Sequence, residues 1–240
     1  MRLTTCIAND LRLQWRAGFY TVYSLIVALY IVTLGALDPS QQRPVVTLMI
    51  FIDPSALGFF FLGGLMLFER GDGVLSALFA GPLRVGEYIA SKAISLTVLA
   101  LLSSLVLALG LGLGTHVGAG SLVLMLLGVG LTSTMITFFS IAIGTRLTTV
   151  NRYFFGGTIL ALPLVAPIFD YVGVAPEGLG DALAWLPAAP GLALIDAGLG
   201  GAQLSPFGIM RAVALLALWN GLMFLWARRW FERFVTWGQS

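Results

Sequence analysis

Long, almost uninterrupted apolar stretches are the feature that most restricts how this chain can fold. Six runs are each long enough to cross about 30 Å of hydrocarbon as a helix, near residues 19–37, 45–68, 93–114, 120–144, 153–170 and 209–227. Of the 240 residues, 58% are hydrophobic and only 10% are charged, which excludes a water-soluble fold. We therefore predict an all-α polytopic membrane protein with six transmembrane helices in a single domain, residues 1–240.

The placement of the basic residues predicts the orientation of the six spans. If the N-terminus is inside, all but Arg43 and Arg211 of the 13 Lys and Arg residues fall on the inner side. We expect a multi-pass protein of the bacterial inner (plasma) membrane with both termini in the cytoplasm. The first run, beginning at Phe19, is too long for the apolar part of a cleaved signal peptide, so we expect it to remain as a span.

Two segments outside the spans are also apolar. Residues 1–18 form a predicted interfacial helix, because four apolar side chains recur at four-residue spacing: Leu3, Ile7, Leu11 and Trp15. The outer loop 171–208 is long and apolar but is interrupted by Pro187 and Pro190. It is predicted to be a re-entrant segment of short helices that protein shields in the outer leaflet.

This chain lacks the residues that most enzyme mechanisms need. The only lysine, Lys92, is not part of a Gly-Lys-Ser/Thr phosphate loop, and a single histidine, His116, with a single cysteine, Cys6, cannot build a zinc site or a histidine-based triad. Gly178-Leu179-Gly180-Asp181 matches a short string of intramembrane aspartyl proteases, but the second aspartate that they require stands in a Tyr-Asp pair, whereas Asp170 of this chain follows Phe169. We expect a chain that is not an enzyme and that holds no metal or cofactor.

The inner loop between the second and third runs, residues 69–92, carries the clearest local pattern. Val74, Leu75, Leu78 and Phe79 recur at helical spacing, acidic residues stand near the start at Glu69 and Asp72, and Gly81-Pro82 ends the run. These residues predict a short amphipathic helix on the cytoplasmic face. From the residues alone, such a helix either rests on lipid or docks on a partner protein.

The order of motifs around this loop resembles the permease subunits of type 2 ATP-binding-cassette exporters, and most closely the fluoroquinolone-export permeases. The resemblance is carried by Asp53-Pro54, Gly58-Phe-Phe-Phe-Leu-Gly-Gly64, Pro82-Leu-Arg84, Glu87-Tyr88, Lys92 and Trp185-Leu-Pro187. It implies that residues 69–92 form the coupling segment that contacts a separate ATPase subunit, with contact roles for Glu69, Arg70, Asp72, Val74, Leu75, Leu78, Arg84 and Glu87. Many relatives have threonine where this chain has Val74.

The same resemblance implies the other partners. Two permease subunits, identical or sister chains, form a dimer; ATP and magnesium are held by the ATPase subunits; and cargo lies between spans two and five on its way out of the cell. Multidrug efflux is the activity associated with such complexes. The expected partners are thus an ATPase, a second permease, membrane lipid and a small-molecule cargo, and no nucleic acid.

Candidate residues for the translocation path come from spans two and five. Asp53 lies deep in an apolar run, where a charge is costly, so it either caps a helix together with Pro54 or faces cargo. Aromatic side chains could offer a flat surface to an apolar cargo, or could simply pack: Phe59, Phe60, Phe61, Phe154 and Phe155.

The sequence therefore predicts the permease subunit of an exporter of hydrophobic or amphipathic compounds, either drug-like or lipid-like. A secondary active transporter is the main alternative, and it would need titratable groups along its path; the spans contain almost none besides Asp53. A membrane assembly protein that transports nothing is a further alternative.

Overall fold

The regular secondary structure in the described part of the chain is entirely helical. The computed structural model describes residues 2–56, 59–60, 62–63, 66, 84–113, 118–147, 149–176 and 178–237. In chain order the described helices are α1 (Arg2–Arg16), α2 (Phe19–Gly35), α3 (Pro39–Ala56), α4 (Val85–Gly110), α5 (Ala119–Gly144), α6 (Val150–Val165), α7 (Pro167–Tyr171), α8 (Gly180–Leu183), α9 (Ala188–Gly198) and α10 (Pro206–Trp237).

Three of these helices are long and apolar enough to cross a bilayer without help: α4, α5 and the part of α10 from Pro206 to Phe234. A fourth span is possible if α1 and α2, which meet at a 63° bend, are taken together. The all-helical membrane fold is thus confirmed, while the count of six spans stays a prediction. Helix α6 has only 16 residues, and the predicted span 45–68 continues from α3 into residues that the structure describes only in part.

Helix α5 is the centre of the bundle. It packs against α3, α4, α9 and α10, and its C-terminal end is buried on all sides, with every residue from Phe139 to Gly144 buried. Among the buried hydroxyls of α5, Thr137 Oγ1 donates to the carbonyl of Ser133 in the same helix at 2.8 Å, whereas Ser140 Oγ lies 2.6 Å from Tyr153 Oη of α6. The helices around α5 are therefore held by packing on one shared core element.

Glycines let the short helix α9 lie directly on α5. A Cβ atom at Gly191 would stand 2.6 Å from Thr132 Oγ1, which lies at the middle of α5, and one at Gly198 would stand 2.5 Å from the backbone N of Met125. Helix α9 therefore reaches from near the start of α5 to its midpoint. This is the geometry that the predicted re-entrant segment 171–208 requires, and its insertion into a bilayer stays a prediction.

A polar cluster around Asp196 ties α9 to the beginning of α3. The Asp196 carboxylate accepts hydrogen bonds from Tyr171 Oη at 3.1 Å, from the N–H of Ala202 at 2.9 Å and from Thr47 Oγ1 at 3.4 Å, and Arg43 lies 4.0 Å away. Burial raises the pKa of Tyr171 to about 12, so the phenol stays protonated and can donate to the carboxylate.

Residues 2–16 of the predicted segment 1–18 form helix α1, which packs along the start of α4. Its contacts with α4 are polar: Lys92 Nζ and Ser91 Oγ both lie 2.8 Å from the Asp10 carboxylate, and Gln14 Nε2 donates to Ser95 Oγ at 3.2 Å. Trp15, placed on the apolar stripe by its spacing, is 70% exposed. The protein-facing side of α1 is therefore not the apolar stripe alone, and its place in the membrane interface stays a prediction.

Candidate functional site

A cavity of about 240 Å³ lies between the end of α3 and helix α6. Its wall consists almost entirely of carbon atoms, contributed by Phe51, Ile52, Ala56, Phe59, Phe60, Ile136, Phe139, Thr158, Ala161, Val165 and Ile168. The single hydroxyl in this wall, that of Thr158, donates to the carbonyl of Phe154 at 2.6 Å. Because the wall offers no free polar group, the cavity suits an apolar molecule or the apolar part of an amphipathic one.

The position of Phe59 in this wall is fixed from two sides. Its ring stacks on Tyr153 with centroids 5.0 Å apart, and Tyr153 Oη donates to the carbonyl of Phe59 at 2.7 Å. Since that bond uses the only phenolic proton, the contact of 2.6 Å between Tyr153 Oη and Ser140 Oγ is donated by the serine. The Phe59 carbonyl thus has two hydroxyl groups nearby, Tyr153 Oη at 2.7 Å and Ser140 Oγ at 3.3 Å.

Glycines make room for these rings. A Cβ atom at Gly63 would overlap the Tyr153 ring, and one at Gly157 would stand 2.6 Å from the Phe59 ring. The packing of the Tyr153 and Phe59 rings thus depends on the close approach of a glycine backbone to each ring.

Two of the five predicted aromatic residues, Phe59 and Phe60, line this cavity, and a third, Phe154, packs on Phe60 from outside its wall. Phe59 is buried, Phe60 is about half exposed at 49%, and the rings of Phe60 and Phe154 lie 5.5 Å apart. Phe155 is 75% exposed and does not line the cavity, and Phe61 lies outside the described residues.

Sequence reasoning missed Tyr153 and Phe139, which complete the aromatic cluster. Phe139 stacks on Phe59 at 6.2 Å from the fourth predicted span. The only available signal was that Tyr153 directly precedes the Phe154-Phe155 pair and that Phe139 follows Phe138.

Asp53 lies inside α3, three residues before the helix ends at Ala56. The interpretation of Asp53 as the N-cap of a helix that starts at Pro54 is therefore wrong: the helix continues through both residues, and an N-cap lies outside the helix that it starts. The side chain is partly buried, and Tyr30 Oη of α2 donates to Asp53 Oδ1 at 3.4 Å. Asp53 thus keeps its second interpretation, as a group on the translocation path.

Most of the predicted coupling segment lies outside the described residues, namely Glu69, Arg70, Asp72, Val74, Leu75 and Leu78. Two of its members are described at the start of α4. Arg84 is exposed, and its backbone N–H donates to Glu87 Oε2 at 3.0 Å. Glu87 therefore stabilises the first turn of α4 by accepting a bond from the residue before it, as in a capping box.

The fold and the cavity together define a helical membrane protein with an apolar binding space between two of its helices. The family model of the fluoroquinolones export permease proteins matches residues 1–239, and the chain belongs to this family. Relatives include fluoroquinolones export permease proteins from two strains of Mycobacterium tuberculosis. Each is 27% identical over 214 residues, covering 88% of this chain and 87% of the relative. The chain is thus a membrane protein of an export permease family.

Proposed function

We propose that this chain is the membrane-spanning permease subunit of an ATP-binding-cassette exporter that moves hydrophobic or amphipathic compounds out of the cell. The carbon-lined cavity between α3 and α6 carries this proposal, because it offers an apolar compound a place inside a membrane bundle. The name of the family supports the direction of transport and makes a fluoroquinolone the first compound to test.

The energy comes from a separate ATPase subunit that contacts residues 69–92. The chain itself holds no nucleotide, since ATP and magnesium sit on the partner. A dimer, with a second copy or a sister permease, forms the complete path in the inner membrane, with both termini in the cytoplasm. The described end of the coupling segment supports this. Arg84 is the N-cap of α4, and Lys92 in the first three turns of α4 pairs with Asp10 of α1. A displacement of the coupling segment would therefore be transmitted to a rigid helix.

The partner is tested by gentle purification of the tagged chain from its native membranes, followed by mass spectrometry. We expect an ATPase subunit to come with the wild-type chain and to be lost when residues 70–84 are replaced by a neutral linker in a chain that still folds. Repeated purification without any ATPase would contradict the proposal and favour a secondary transporter.

The cavity is tested by a matched pair of substitutions on neighbouring residues of α6. Ala161 lines the cavity, whereas Leu160 is 54% exposed on the outer surface of the bundle. Ala161→Trp should abolish the stimulation of ATP hydrolysis by a fluoroquinolone or by ethidium in the reconstituted complex, because the indole fills the space. Leu160→Trp should leave it intact. Equal stimulation in both variants would show that the cavity does not receive cargo.

A further inference from the structure

Asp53 lies level with the middle of α5, a helix long and apolar enough to cross a bilayer. Two residues before it, Phe51 packs within 3.2 Å of a Cβ position at Gly191, and this same position faces Thr132. Thr132 is halfway along α5, a helix that can span the bilayer alone. Asp53 is two residues, or about 3 Å, farther along α3 than Phe51. Its carboxylate is therefore at a depth where an ionised side chain costs several kcal/mol unless something opposes its charge.

The described residues supply no positive charge for this carboxylate. Its hydrogen bond comes from the neutral phenol of Tyr30, at the long distance of 3.4 Å. The ion pairs among described residues join other groups: Arg43 to Asp196, Lys92 to Asp10, and Arg228 to Glu232. Arg43, the basic residue of the same helix, is ten positions away, about 15 Å along the axis.

Asp53 is not in the wall of the apolar cavity but lies within one helical turn of it. Asp53 and Ala56 are three residues apart on α3, so their side chains are neighbours on the helix surface, and Ala56 lines the cavity together with Ile52. The side chain of Ala56, between the cavity and the Asp53 carboxylate, is only a methyl group and occupies little space. An apolar body in the cavity could thus extend a short arm past Ala56 to Asp53.

We infer that Asp53, assisted by Tyr30, binds the positively charged group of amphipathic cargo whose apolar body fills the cavity between α3 and α6. This inference rests on the proposed export function and names the class of compound: a lipophilic cation with its charge near one end. A cation there offsets the cost of a carboxylate at mid-membrane, and Tyr30 holds the carboxylate toward α2 while the site is empty. A neutral compound of the same shape gains only the apolar contacts.

The test uses two compounds that differ in charge alone, a phenylalkyl trimethylammonium ion and its uncharged isostere with carbon in place of nitrogen. Binding of both is measured by equilibrium dialysis on the full chain, purified with its partners and placed in lipid nanodiscs. Asp53→Asn, which keeps the shape and removes the charge, should raise the Kd of the cation about thirtyfold and leave that of the isostere nearly unchanged. Asp53→Glu should retain most of the preference for the cation.

Asp181→Asn is the matched control, because it removes one acidic charge from an exposed position in the outer segment and should change neither Kd. The inference is overturned if Asp53→Asn leaves binding of the cation unchanged, if it weakens both compounds equally, or if the wild-type protein binds neither. The export function is judged separately with the uncharged isostere. If the isostere still stimulates ATP hydrolysis by the Asp53→Asn variant, the proposed export function stands and only the role of the Asp53 charge is in question.

Discussion

Replacing Gly198 by alanine tests the closest backbone contact between α9 and α5. The added Cβ would stand 2.5 Å from the backbone N and 2.7 Å from the Cα of Met125, whereas ordinary contacts begin at 3.4 Å. Helix α9 must therefore move away from α5 by about 0.9 Å, the difference between 3.4 and 2.5 Å. Overpacking of this kind costs about 1–3 kcal/mol, or about 2–4 °C in melting temperature for each kcal/mol in a chain of this size.

The assay is thermal unfolding in detergent, followed by the fluorescence of the six tryptophans. Gly221→Ala is the control, since a Cβ there meets nothing within 4 Å and lies inside the helix α10; it should melt at or slightly above the wild-type temperature. Adding Met125→Ala to Gly198→Ala should not restore stability, because the N and Cα atoms remain. If Gly198→Ala and Gly221→Ala melt together, α9 does not lie against α5 as described.

Three further results are expected from the buried polar contacts. Lys92→Met should destabilise the protein by about 3–5 kcal/mol because it leaves the Asp10 carboxylate without its cation. Adding Asp10→Asn should recover most of that loss. A double variant that is no more stable than Lys92→Met would contradict the ion pair. Tyr153→Phe should cost about 0.5–1.5 kcal/mol, since it removes the shorter hydroxyl contact to the Phe59 carbonyl, at 2.7 Å, and leaves Ser140 Oγ at 3.3 Å from that oxygen; an unchanged melting temperature would contradict the bond from Tyr153. The pKa of Tyr171 is raised to about 12 in the folded protein, so its contribution to the free energy of unfolding is complete below pH 10 and is lost as the pH rises toward 12. The stability difference between wild type and Tyr171→Phe should therefore shrink over that range. A constant difference would refute the bond to Asp196.

The apolar runs predict where helices lie because a bilayer demands length and hydrophobicity, and both are visible in a sequence. They predict the ends less well. Helix α4 begins at Val85, eight residues before the predicted span at 93, because its polar first turns are buried against α1. Helix α10 runs on to Trp237, past 227, through a turn in which Arg228 pairs with Glu232 at 2.7 Å. In both cases polar residues continue a helix through contacts that hydropathy does not record.

The candidate site was predictable only in part for a similar reason. An aromatic cluster on spans two and five follows from composition, but neighbouring residues of a helix point about 100° apart, so Phe154 reaches the cluster and Phe155 does not. The contribution of Phe139 depends on how α5 packs against α3, which is a contact between distant parts of the chain. The ion pair between Asp10 and Lys92 joins residues 82 positions apart, and neither residue alone signals it.

That ion pair also has a consequence for the order in which the protein is assembled. Synthesis proceeds from the N-terminus, so α1 emerges long before Lys92 exists. Until α4 is made, the Asp10 carboxylate has only water and lipid headgroups as neighbours, which is tolerable at a membrane surface and not within the hydrocarbon. Helix α1 therefore stays at the membrane surface until the third predicted span has been synthesised. Its docking onto α4 is thus a late step of biogenesis.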